Sequence, residues 1–393
     1  MRIVFFSNTL NRHQSNLSDA LFELTGGDFT YIETVAPTKE NHSGGKKKID
    51  RSYVLSAYAD RERYETATLL ARDSDIAIFG ADSFSFEIER MSSSSKLSFE
   101  MSERFFKRGW INILSPRLIK KMWYYHRYRW SKKPLYKLCS SAFAAKDQYR
   151  LFSFKNRCYK WGYFTQIDNL DISRIIDSRN CIETSSDISK LRPVRLMWCA
   201  RFLNWKHPEL PLHLAARLKS NGYSFILDMY GSGELLGKMK RLSSNLQLDD
   251  VVHFAGDVSN DEVLLAMRYH DIFLFTSDRR EGWGAVLNEA MSNGCTVVAS
   301  NAIGSAPFLI EDGVNGVIFK SCDIISLYEK VIYLIDNRAD CSKMAIAAYK
   351  TMRDVWSPYN AASNFLVLCQ SLLKGGNDDP IKNGPCSKAL PNN

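Results

Sequence analysis

The sequence predicts a parallel α/β protein with two Rossmann-like halves. Three observations lead there. The chain has 393 residues, long for one core, so two cores are expected. From Arg195 onward, short continuous apolar runs alternate with helical patterns, which marks a parallel sheet covered on both faces. The amino-terminal half repeats that pattern less cleanly.

In chain order, Arg2 to Ser7 (RIVFFS) reads as a buried opening strand. Asn8 to Asn16 reads as a loop, and Ser18 to Thr25 as a helix with Ala20, Leu21 and Leu24 at helical spacing. Tyr31 to Val35 is a short strand, and His42 to Lys48 a polar, mobile loop. Arg61 to Arg72 is helical, Asp75 to Phe79 a strand, and Met91 to Lys96 a serine-rich loop. Asp168 to Lys190 reads as an irregular connector. Strands follow at 195–200, 225–231, 251–256, 271–277, 295–300 and 316–319, with helices at 210–221, 233–246, 261–270 and 284–292. Helices then run to Lys374. The last residues, Gly375 to Asn393, lack an apolar pattern and are expected to be disordered.

An apolar content of 45% supports large cores without covalent staples. Nine cysteines are scattered singly with no metal-ligand spacing, so reduced thiols in a cytoplasmic protein are expected. The opening MRIVFFSNTL is too short an apolar run for a signal peptide, and no stretch approaches the ~20 apolar residues of a membrane span. Charge is concentrated. Arg104 to Lys146 holds twelve Lys and Arg and no acid, against a net charge of +9 for the whole chain. Trp110, Trp123, Tyr124, Tyr125, Tyr128 and Trp130 interleave with these cations. Rings at headgroup level and cations on phosphate suit an anionic membrane surface. The same composition also suits nucleic acid.

The chemistry concentrates in TSDRREGWGAVLNEAMSNGCTVVAS. A strand ends at Ser277, a polar loop brings Glu281, Gly282, Trp283 and Gly284, and a helix carries Glu289. Ligands of doubly wound sheets bind beyond the carboxyl ends of the strands, where Glu281 falls. Gly282 and Gly284 let backbone approach a ligand. The following helix start, with Ala285 and Val286, suits a diphosphate.

These residues closely resemble the retaining glycosyltransferases of family 4 (glycosyltransferase group 1), which have the two-domain GT-B fold. The family pattern runs S-x-x-E-G-x-G-x-x-x-x-E-A-x-x-x-G. Ser277, Glu281, Gly282, Gly284, Glu289, Ala290 and Gly294 match it, with one extra residue between the Ser and the Glu. Arg201 and Lys206 match the family's diphosphate-holding pair, Gly231 and Gly233 its glycine turn, and Phe254 to Gly256 the loop before its base pocket, which Val258 would border. Asp312, Gly313, Asn315 and Gly316 match a further turn.

The resemblance implies a GT-B enzyme with two Rossmann-like domains facing across a cleft. It implies Arg201, Lys206 and Glu281 as catalytic residues. It implies donor contacts from Gly231, Gly233, Val258, Gly282, Trp283, Gly284, Ala285, Val286 and Glu289. The reaction would move a hexosyl group, with retention, from a nucleotide-diphosphate sugar, UDP first and GDP next. The acceptor would be a lipid-linked or other saccharide in cell-surface polysaccharide or glycolipid synthesis. No metal or other cofactor is implied. Asp73, Ser74 and Asp75 spell a metal-binding triplet, but before a strand rather than after one.

The expected organisation is an acceptor-binding domain over 1–188, including the basic aromatic segment 104–146, and a nucleotide-sugar domain over 189–355, split near Ser185 to Pro193. A helix over 356–374 would cross back to the first domain, ahead of the tail 375–393. Departures cluster in the first domain. Its first loop lacks the family's paired glycines, and Gly80, Ala81 and Asp82 stand where the family carries a histidine. Asn11, His13, Gln14 and Glu100 are the acceptor-side candidates. The expected partners are a nucleotide sugar, the acceptor and an anionic membrane surface, not nucleic acid. The expected location is cytoplasmic, peripheral on the inner face of the membrane. A GT-B phosphorylase or epimerase is the alternative on the same scaffold, with nucleic-acid binding behind it.

Overall fold

The computed structural model describes residues 1–37, 49–180, 192–375 and 379–391. The His42 to Lys48 loop lies outside the described residues, as does most of the Ser185 to Pro193 boundary. The chain divides into two compact units. One comprises Met1–Gln166 with Val355–Asn393, and the other Ile167–Asp354.

The first unit is built on seven strands: β1 (Ile3–Ser7), β2 (Phe29–Glu33), β3 (Val54–Ser56), β4 (Ile76–Phe79), β5 (Ser98–Ser102), β6 (Leu135–Cys139) and β7 (Cys158–Lys160). Their order is β3-β2-β1-β4-β5-β6-β7, and all pairs are parallel, with Ile3 facing Phe29 on one side and Ile76 on the other. Every residue of β1 and β4 is buried, as expected of central strands covered on both faces. The covering helices are α1 (Arg12–Leu24), α2 (Arg61–Asp73), α3 (Phe84–Ser93), α4 (Pro116–Arg127) and α5 (Ala144–Arg150).

Helix α1 starts six residues before the reading from sequence. Asn11 caps it, its side chain accepting the His13 N–H at 3.0 Å. Asn8 to Asn16 is therefore only partly loop, and His13 and Gln14 lie in a helical first turn. The basic stretch is likewise not one continuous surface. Tyr125 and Trp130 are core residues. Lys137, fully buried on β6, contacts Glu100 of β5, and Lys121 of α4 lies 2.9 Å from the same carboxylate and 3.6 Å from Glu87. Burial pushes the Glu87 carboxyl up to about 7 despite Lys121 beside it.

The second unit opens with α6 (Ile172–Asn180), where an irregular connector was expected. Ile172 and Ile176 pack with Ala345 and Tyr349, and the Arg179 guanidinium donates to the Gly294 carbonyl at 2.7 Å. Burial of only two isoleucines leaves a weak periodic signal, and the fixing contacts are far away in the chain. Next come β8 (Val194–Cys199), α7 (Glu209–Ser220), β9 (Phe225–Tyr230), α8 (Leu236–Asn245), β10 (Val252–Gly256) and α9 (Asn260–Met267). Then follow β11 (Ile272–Phe275), α10 (Val286–Ser292), β12 (Thr296–Ser300), α11 (Ala306–Leu309), β13 (Val317–Phe319), α12 (Ile324–Asp336) and α13 (Arg338–Asp354). The sheet order is β10-β9-β8-β11-β12-β13, again all parallel, with Ile272 of β11 opposite Leu196 and Thr296.

The last helix, α14 (Pro358–Leu373), belongs to the first unit. Its Phe365 ring lies 5.0 Å from Phe99 and 5.7 Å from Trp161. The tail beyond it is not structureless where described. Residues 386–389 pair with β7: Lys160 donates to the Ser387 carbonyl at 2.7 Å and Cys386 to the Lys160 carbonyl at 2.8 Å. Cys386, Ser387 and Ala389 are buried. Backbone pairing with an open sheet edge needs no apolar periodicity, so composition alone misread this segment.

Candidate active site

In a sheet of order β10-β9-β8-β11-β12-β13 the chain reverses direction of growth between β8 and β11. That switch point is where open α/β sheets bind ligands. Arg201 and Lys206 follow β8, and Glu281 follows β11. Lys206 Nζ donates to Glu281 Oε2. Both side chains are largely buried, at 12% and 10% exposure. The ammonium also lies 4.2 Å from the centre of the Trp205 ring, a cation–π contact. Arg201 is exposed.

Residues not singled out in the sequence hold this pair. The Thr276 hydroxyl donates to the Lys206 carbonyl at 2.7 Å and accepts the Trp198 indole N–H at 2.9 Å. Asp278 N–H donates to the Trp205 carbonyl at 3.0 Å. The loop after β8 is thus fastened to the loop after β11, which sets Lys206 against Glu281. His207 lies between Glu209 (2.8 Å) and Asp278 (3.4 Å). The Glu209 carboxylate raises its imidazole above the ordinary value. The only sequence signal for these residues is their place at strand ends.

The glycine turn abuts the same loop. Gly231 has φ +121°, and a Cβ there would fall 2.2 Å from the Ala200 carbonyl oxygen. Its N–H donates to the Gly256 carbonyl at 2.7 Å, and Phe202 N–H to Ser232 at 2.8 Å. The ends of β8, β9 and β10 are so drawn together, with Gly233 in the turn and Val258, half-buried, just beyond β10.

Beside Glu281, Gly282 is buried, and Gly284 serves packing as well as the expected open approach. Gly284 has φ +90°, and a Cβ would lie 2.5 Å from the Phe275 ring, so packing excludes one. Trp283 is fully buried, its indole N–H donating to Asn288 Oδ1 at 2.9 Å, which leaves only its backbone for a ligand. Helix α10 has seven residues, starting at Val286 after Ala285, rather than at Gly284. Glu289 is its fourth residue and is buried.

The acceptor-side candidates separate. Asn11, His13 and Gln14 line a cavity of about 520 Å³ at the carboxyl edge of the first sheet, with Gly80 and Tyr163. Gln14 Oε1 accepts the Tyr31 hydroxyl at 2.6 Å, and the His13 ring stacks on Tyr163. Glu100 is not in that lining. Its carboxylate is buried between Lys137 and Lys121, so it serves the core rather than a ligand.

Comparison with known proteins bears on the second unit. Residues 187–351 match the family described as Glycosyl transferases group 1. This segment is a glycosyl transferases group 1 domain. The chain is 28% identical over 148 residues to the poly(glycerol-phosphate) alpha-glucosyltransferase of Bacillus subtilis (strain 168), covering 38% of this chain and 21% of that protein. It is 29% identical over 162 residues to the amylovoran biosynthesis glycosyltransferase AmsK of Erwinia amylovora, covering 40% of each. The matches thus span well under half the length of these curated relatives. The crystal structure of Anabaena Alr3699/HepE in complex with UDP aligns with 94% of this chain and all of that one, at TM-score 0.67 and 13% identity. That likeness spans both units and shows the fold alone, two Rossmann-like units of the GT-B class.

Proposed function

We propose that the protein is a retaining hexosyltransferase that uses a nucleotide-diphosphate sugar. One observation carries the reading: a buried Lys206–Glu281 pair at the switch point of the second sheet. A carboxylate held there beside a fixed ammonium suits a sugar next to a diphosphate. Lys206 and Arg201 take the diphosphate, Glu281 the sugar hydroxyls and Glu289 the ribose. Val258 borders the base. UDP is favoured over GDP; the similar Anabaena structure contains UDP, and the similar Bacillus enzyme is named a glucosyltransferase.

The bond from the anomeric carbon to the diphosphate breaks. A glycosidic bond to the acceptor oxygen forms on the same face, and the acceptor proton passes to the departing phosphate oxygen. Charge grows on the leaving group, and Arg201 and Lys206 stabilise it without a metal. The test incubates the protein with UDP-glucose, UDP-galactose and GDP-mannose in EDTA and reads release of the diphosphate and the anomeric configuration of product. Turnover in EDTA with retention is expected. Inverted product, or activity only with added Mg²⁺ or Mn²⁺, would overturn the mechanism.

We further propose a lipid-linked saccharide acceptor, as in polysaccharide or glycolipid synthesis, met at the inner face of a membrane. No helix among the described residues is long and apolar enough to cross one. Support for surface docking comes from residues 110–128, where Ile111 and Leu114 are 74% and 72% exposed and Trp110, Ile119, Trp123 and Tyr128 more than half exposed. Arg117, Lys120 and Arg127 are exposed among them, and Lys132 is exposed just beyond. Each such cation contributes roughly 1 kcal/mol at an anionic surface. Changing these four to Glu is expected to abolish sedimentation with phosphatidylserine vesicles while UDP binding persists. Lys121 and Lys133 are left intact, because Lys121 holds Glu100 and Lys133 bonds the Met91 and Ser94 carbonyls. Full pelleting of the variant would remove the membrane reading.

A further inference from the structure

The cavity of the first unit lies at that sheet's own switch point, between β1 and β4, and its chemistry is one-sided. Arg104, Lys107 and Lys121 are among its lining residues, and Glu103 is the one carboxylate there. Both oxygens of Glu103 are engaged, Oε1 by the Tyr163 hydroxyl at 2.7 Å and Oε2 by Lys107. Lys121 is held charged from behind by Glu100 and Glu87, which are not in the lining. The turn that carries Arg104 and Lys107 is fixed, because the buried Asp147 carboxylate accepts the Phe105 and Phe106 N–H groups at 2.7 and 3.0 Å. The Arg104 guanidinium lies 4.6 Å from the centre of the Phe143 ring. Ser140, 1% exposed and also in the lining, has a hydroxyl with no hydrogen-bond partner among the described residues. A buried hydroxyl of this kind is unfavourable unless a ligand or water completes it. A cavity of about 520 Å³ is of the size that holds a small polar head.

We infer that this cavity binds a phosphate group of the acceptor, so that the acceptor is a phosphate ester rather than a neutral saccharide. Arg104 and Lys107 meet the phosphate oxygens at the rim, Lys121 supplies charge from the floor, and the Ser140 hydroxyl donates to an oxygen. Arginine and lysine together suit this group, the first through its planar fork and the second as a point charge. The inference rests on the transferase reading above, since it names the chemistry of that reaction's second substrate.

The experiment is calorimetric titration of the full chain, with UDP at saturation to fill the second unit. The probes are inorganic phosphate, monomeric dihexanoyl phosphatidate and, as neutral control, methyl glucoside. Phosphate or phosphatidate is expected to bind at least tenfold more tightly than the glucoside. Arg104→Gln and Lys107→Gln are each expected to weaken that binding about tenfold, the scale of one charge-assisted contact. Lys107 pairs with Glu103 in a part-buried contact, so thermal melts check the fold of both variants. Phosphatidate binding alone assigns the group to a lipid headgroup; equal binding of both assigns it to phosphate as such. Equal affinity for the glucoside, or unchanged affinity in both variants, overturns the inference. UDP affinity in the same samples separates the two readings. Failure to bind UDP strikes the donor assignment, whereas UDP binding without a phosphate response strikes this one.

Discussion

Lys206→Ala is expected to lower turnover by about 10²–10³-fold, the scale seen when one fixed donor to a developing charge is removed. It is also expected to destabilise the protein, because Glu281 would stay behind at 10% exposure without its ammonium. Breaking a buried pair from one side costs about 3 kcal/mol or more. The two effects are separable. Lys206→Ala combined with Glu281→Gln removes the stranded charge, so stability should return most of the way while turnover stays low. Urea melts and initial rates on the single and double variants measure both. A single variant with wild-type stability would mean that the pair is solvated. A single variant with wild-type turnover would remove Lys206 from the reaction.

Gly231→Ala should unfold the second unit at lower temperature and abolish UDP binding. The residue has φ +121°, and its new Cβ would meet the Ala200 oxygen at 2.2 Å. Strain of this kind costs about 1–3 kcal/mol, and relief of the clash must move the backbone that leads into Arg201. For a unit of this size, about 3 kcal/mol corresponds to roughly 6–12 °C. Gly222→Ala is the matched control. Its φ is +76°, yet nothing lies within 4 Å of the added carbon, so only the backbone term applies. Equal melting temperatures for the two variants would show that the close approach at Gly231 carries no weight.

Much of the second unit was legible because its signals are local. Strands such as β11 are short, continuous and wholly apolar, and that pattern reports burial on both faces without knowledge of any partner. Glycine 294 and the glycines near 231 and 284 punctuate those runs at strand ends, which placed the candidate site at the sheet edge. The first unit was harder. Helix α1 begins with Arg12, His13 and Gln14, polar residues without apolar periodicity, and only the Asn11 cap betrays the start. The basic stretch looked uniform because composition does not distinguish Lys120, exposed, from Lys121, which reaches the core.

By itself, the sequence determined the alternation of strand and helix, the parallel character of both sheets and the resemblance carried by Glu281 and Glu289. These follow from periodicity and from residue types over a few consecutive positions. Only the tertiary structure decided that Lys206 meets Glu281, 75 positions later in the chain. It alone placed α6 on α13, paired residues 386–389 with β7 and withdrew Glu100 from the cavity into a buried ionic cluster. Each of these is a choice of partner across a long loop. Local pattern fixes which face of an element is buried, but the partner is set by packing and charge compensation between distant segments.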